Sequence, residues 1–132
     1  MKKHFIKTWL LCSIIGIASC ASYQRSDLYF GRDIPGGGQV SDQEWKAFSD
    51  SVISGYFPEG YTEWEARGRW KDTKTGITIT EPTRVVTFLG KRTKQRSRNI
   101  DSIAQRYLRR FHQQSVLRTD SRTGVRFLSQ AP

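Results

Sequence analysis

Residues 28–45 read LYFGRDIPGGGQVSDQEW. Leu28 and Phe30 share one side of an alternating pattern that Ile34 continues, which predicts a strand ended by Pro35 and three glycines. Ser41 and Glu44 then stand at the spacing of a capping box, in which each residue satisfies an amide of the other's turn. Trp45, Phe48, Val52 and Tyr56 fall on one helical face after it, so a helix is expected over about 42–56. A strand that turns through glycines into an amphipathic helix is half of a two-layer unit, and the rest of the chain supplies the other half.

From Thr62 to Trp70 the sequence alternates Trp64, Ala66, Gly68 and Trp70 with Glu63, Glu65, Arg67 and Arg69. Period two predicts a half-buried strand, with the tryptophan side expected in the core. KDTKTG (71–76) reads as a turn. A return strand follows through Ile77, Ile79 and Arg84–Leu89, where Pro82 predicts a bulge or an edge position. KRTKQRSRN (91–99) is basic and lacks any apolar residue. Such charge opposes the dipole of a helix start, so the second helix is expected over 100–113 with Asn99 as its cap. Ile100, Ile103, Ala104, Tyr107, Leu108 and Phe111 form its apolar stripe. SVLRTD and VRFL close the chain as one broken strand or a small hairpin. The order strand, helix, strand, strand, helix, strand predicts an α+β fold of ferredoxin-like βαββαβ type, an antiparallel sheet with two helices on one face. The other face is a candidate contact for a second copy, which makes a homodimer an expectation.

The amino terminus concerns location rather than fold. Lys2, Lys3 and Lys7 precede an apolar run from Trp9 to Ile17, the order of a secretory signal. Ile17, Ala18, Ser19 and Cys20 match a bacterial lipobox, so residues 1–19 are expected to be a lipoprotein signal peptide and Cys20 the lipidated residue. Ala21 after the cysteine favours the outer membrane, on its periplasmic face. Residues 20–27 are read as the lipidated cysteine and a short tether, and 28–132 as one α+β domain. Membrane attachment then runs through the acyl chains, each buried methylene of which contributes about 0.8 kcal/mol.

Processing also limits the chemistry. Cys12 leaves with the leader and Cys20 is capped, so thiolate catalysis and cysteine-ligated metals are excluded. His112 is the only imidazole left, and neither a metal nor a cofactor is expected. Loss of the three leader lysines takes the formal charge from +10 to +7. In an exported domain that charge points to an anionic envelope surface or a protein partner, and makes nucleic acid an improbable partner.

Two candidate sites remain. Gly36, Gly37, Gly38 and Ser41 at a helix start, with Arg32 and Arg118 nearby, could hold an anion through backbone amides and guanidinium groups. The same glycines could simply permit a sharp connection. Lys91, Arg92, Lys94, Arg96 and Arg98 form the second candidate, a surface-binding basic loop. Trp45, Trp64 and Trp70 are assigned to the core and His112 to the surface, and no catalytic residue is assigned.

LYFGRDIPGGG with VSDQEW, then FPEGYT, RGRW, EPTRVV and YLRRFHQQSVLRTD, resemble a family of small bacterial lipoproteins known only as a domain of unknown function. The resemblance runs from Leu28 to Asp120 and implies a single exported α+β domain, with no catalytic residues to carry over. The leading expectation is therefore a lipid-anchored, non-enzymatic binding domain. The alternative is a small anionic-ligand-binding protein or enzyme with its site at the glycine-rich loop, Arg32 and Arg118.

Overall fold

Strand β1 (Tyr23–Gly31) opens the fold in a computed structural model that describes residues 22–130. The expected leader and the expected lipidation site, Cys20, lie outside the described residues. β1 begins inside the stretch read as tether, which corrects that boundary. Ser26 and Asp27 are buried there because each has a partner: Ser26 donates to Asp120 at 2.5 Å, and Thr87 donates to Asp27 at 2.6 Å. Polar residues satisfied inside a strand conceal it from a reading of apolar alternation.

After β1 come helix α1 (Asp42–Phe48), a π-helical segment (Ser49–Ile53) and the short α2 (Ser54–Tyr56). The capping box of Ser41 and Glu44 is formed. Strands β2 (Thr62–Lys71) and β3 (Thr78–Lys91) follow, then α3 (Lys94–Arg110) and β4 (Leu117–Thr123). The four strands form one antiparallel sheet in the order β2-β3-β1-β4. This is an α+β fold with a four-stranded antiparallel sheet and two helical segments.

Leu28 and Phe30 of β1, with Val86 and Phe88 of β3, face the helices. They meet Trp45, Phe48 and Ile53 from the first helical segment and Ile100, Ile103, Tyr107 and Phe111 from α3. Aromatic rings dominate this core: Phe30 stands 4.8 Å from Tyr107 and 5.2 Å from Trp45 between centroids. Tyr107 also donates to the Gly31 carbonyl at 2.8 Å, tying α3 to the end of β1.

Strand β2 presents the opposite face from the one expected. Register places Trp64 beside Val85 and Trp70 beside Ile79, on the side away from the helices, and both tryptophans are nearly half exposed. Glu63 points toward the helices instead. Trp45 Nε1 donates to it at 2.6 Å, and the Ser49 hydroxyl donates to its other oxygen. Hydrogen bonding thus outweighs hydropathy in choosing the face, since burying Trp45 without a partner for its indole N–H would cost about 1–3 kcal/mol.

Three further boundaries differ. β3 is one continuous strand rather than an interrupted one, and its first part, Thr78–Pro82, pairs with β2 alone, so Pro82 holds the expected edge position. The Pro82 carbonyl accepts from Arg32 N–H at 3.0 Å, so its missing N–H falls on the β1 side, just beyond the last β1 pair. Helix α3 starts at Lys94 because the Thr93 hydroxyl caps it, accepting from Arg96 N–H at 3.0 Å. Asn99 lies inside that helix. The carboxy-terminal stretch is a single strand, and VRFL has no regular structure.

Candidate functional site

The glycine run is a turn. Gly36, Gly37 and Gly38 all have positive φ, between 88° and 120°, which only glycine adopts without strain. Ile34 N–H donates to the Gly38 carbonyl at 3.0 Å, and Gly37 N–H to the Ile34 carbonyl at 2.9 Å. The helix start beyond it already holds an anion of its own, since the Glu44 carboxylate accepts from Ser41 N–H at 2.9 Å. Arg32 turns to the Val40 carbonyl at 2.5 Å and to Asp42 at 2.9 Å. Arg118 stands opposite Leu28 on β4, its guanidinium bonded to Asp101 at 2.6 Å and Asp120 at 3.1 Å. The two arginines do not converge, and each is neutralised by neighbouring acids. Hydrogen bonding from Arg84, with the charge of Arg32 behind it, in turn holds the Asp42 carboxyl below the usual range.

Of the basic run, Lys91, Arg92, Lys94 and Arg98 are exposed. Arg96 is not a surface ligand: its guanidinium lies 4.8 Å from the Phe57 ring centroid and 3.3 Å from Glu59. It uses room left by Gly90, where a Cβ would come within 2.7 Å of the guanidinium carbon.

Beside the glycine turn, on the sheet face away from the helices, opens a cleft of about 760 Å³. Tyr29, Trp70, Ile79 and Leu117 supply apolar walls, while Asp33, Glu81 and Arg69 supply charge. Its geometry follows from two strand glycines. Gly31 has no Cβ, and one placed there would come within 2.7 Å of the Glu81 carboxyl carbon. Gly68 pairs directly with Glu81 across β2 and β3, which keeps that side low as well. The Glu81 carboxylate therefore folds over Gly31 and accepts from Asp33 N–H at 3.1 Å. Burial pushes its pKa upward, and the nearby Asp33 charge adds to that rise against the opposing Asp33 amide bond. A carboxyl whose pKa burial raises, set in an aromatic-walled cleft, is suited to proton transfer or to bonding a ligand hydroxyl. Among the described residues no group of His, Cys, Asp and Glu is placed to hold a metal.

The family match decides where this chain belongs. Residues 25–127 match the family described as "Protein of unknown function (DUF3574)". The chain belongs to DUF3574. No curated protein matches the sequence.

Solved structures similar to this DUF3574 chain include a phage SAM lyase in complex with S-methyl-5'-thioadenosine, at a TM-score of 0.57 and 11% identity over 77% of this chain and 81% of that one. The apo phage SAM lyase matches at 0.58 and 12%, over 77% and 82%. At these identities the likeness is one of fold. It corrects the expectation of a non-enzymatic binding domain, because the matched fold serves an enzyme with a small-molecule complex. The expectation of a small-ligand site or enzyme is the one carried forward.

Glu81, Asp33, Tyr29 and Trp70 escaped the sequence reading as a site. Asp33 and Glu81 are far apart in sequence, and only the pairing of β1 with β3 brings them together. Gly31 and Gly68 were the available signal, since glycine inside a strand often marks a close approach.

Proposed function

We propose that this DUF3574 domain is a small-molecule enzyme whose site is the cleft between Trp70, Glu81 and the glycine turn. The observation that carries the reading is the Glu81 carboxyl, seated in the space above Gly31 inside a cleft walled by Tyr29 and Trp70. The ligand class is a purine nucleoside or nucleoside thioether. Trp70 or Tyr29 offers a face for the base, and the Asp33 and Glu81 carboxyls suit ribose hydroxyls. Glu81 is the proton-transferring group. The ligand of the phage lyase, S-methyl-5'-thioadenosine, supplies the first probe.

Calorimetric titration of the full chain with that compound, adenosine and inorganic phosphate tests the proposal. Binding of the nucleosides is expected, with Trp70→Ala weakening it at least about fivefold through lost stacking. Binding of phosphate alone, abolished by Arg32→Ala, would return the site to the glycine loop and contradict the proposal.

Two finer points belong to the same reading. Read from the other edge, the strand order is β4-β1-β3-β2 with every neighbour antiparallel, which supports the ferredoxin-like arrangement. The basic, apolar and small-residue order of residues 1–20 supports export and lipidation of Cys20, and Ala21 after it supports attachment to the outer membrane on its periplasmic face.

A further inference from the structure

The end of the sheet opposite the Glu81 cleft has a different character. The start of β1, the end of β3, the end of β4 and the first turn of α3 meet around a depression of about 610 Å³. Arg92, Lys94 and Arg122 line it, and all three are exposed and without an acidic partner among the described residues. Arg118 and Asp120 form its floor as a bonded pair, so its charge comes from the other three. No aromatic side chain lines it, which removes the stacking platform that single-stranded nucleic acid uses. The path of the chain adds a second, independent observation. Arg92 N–H donates to the Ser22 carbonyl at 3.1 Å, so the chain leaves the domain beside these cations. Cys20 is two residues upstream, a reach of at most about 7 Å.

We propose that this basic end is a docking surface for an anionic phospholipid bilayer, its cations meeting headgroup phosphates. Arg122 lies opposite Gln24 and the Glu81 carboxyl lies beside Gly31, so about 23 Å of β1 runs between these cations and Glu81. The domain then stands on the membrane with the Glu81 site facing away from it. The proposal does not depend on the ligand of that site.

The full chain is offered a choice between phosphatidylcholine vesicles and phosphatidylcholine vesicles containing phosphatidylglycerol, at low salt. Both populations receive any apolar amino-terminal insertion equally, so the ratio reads charge. A preference for the anionic vesicles is expected. The variant Arg92→Gln/Lys94→Gln/Arg122→Gln is expected to lose about two orders of magnitude of that preference, at about fivefold per cation near the surface. Arg67→Gln/Lys71→Gln/Arg109→Gln removes the same charge elsewhere and is expected to retain most of it. Equal loss in both variants would overturn the proposal by reducing it to net charge. So would no preference with inorganic phosphate shifting the Arg92, Lys94 and Arg122 resonances, which would mark a free-phosphate site. Preferential capture by a DNA duplex over the anionic vesicles would overturn it too.

Discussion

Gly31 and Glu81 form the pair on which the site depends, and they can be tested one residue at a time. A methyl group at Gly31 meets only the end of a flexible glutamate side chain, so Gly31→Ala is expected to cost less than about 1 kcal/mol of stability. It must nevertheless move the carboxyl out of the cleft. Urea unfolding should therefore change little while nucleoside binding is lost, and a variant that binds normally would contradict the placement of Glu81. The same carboxyl has a pH signature. Burial raises its pKa above the ordinary 4.5, so between 4.5 and the higher folded value the native state holds more proton than the unfolded chain. Stability falls as pH rises through that window, and the penalty is complete above it. Glu81→Gln should flatten this limb in urea midpoints measured across pH. Asp42 and Asp120, both lowered from 3.8, act in the opposite sense and at lower pH, so the two effects separate. None of this was legible locally, because a glutamate before a proline carries no sign of its partner across the sheet.

At the scale of elements, the strongly periodic segments were readable and the exceptions share a cause. The first helix and its capping box follow from Ser41, Glu44 and the apolar spacing. The face of β2 does not follow from its tryptophans, because Glu63 has Trp45 and Ser49 as partners and the open face tolerates exposed rings. The start of α3 was hidden because the Thr93 cap offsets the unfavourable charge that follows it; a good cap contributes about 1 kcal/mol, comparable to the dipole effect. The π-helical segment belongs to the same network. Its extra residue sets Ser49 against Glu63 and against the Tyr61 hydroxyl, 2.8 Å away. Glu63→Ala is expected to destabilise the fold by about 2 kcal/mol, since it strands the Trp45 N–H and the Ser49 hydroxyl. Glu63→Gln, which keeps an acceptor, should cost clearly less in the same urea experiment. Equal losses would argue against this network as the reason for the orientation of β2.

Across the whole molecule, the two ends of one sheet differ in character, and each carries one of the two proposals. One end carries cations without an acidic partner among the described residues, and the other carries the aromatic, carboxylate-bearing cleft. The basic balance was visible in composition, but its concentration at one end required the strand order and the true start of α3. The proposed export rests on the leader alone, and intact-mass analysis of protein from native membranes should find residues 1–19 removed and Cys20 carrying diacylglycerol. A retained leader or an unmodified terminus would contradict that part of the account. The cleft remains the central claim, and amide-resolved NMR titration of the full chain with S-methyl-5'-thioadenosine tests it most directly. The account predicts saturable shifts clustered at Gly31, Asp33, Gly68, Trp70 and Glu81. Shifts confined to the basic end, or none at saturating compound, would contradict it.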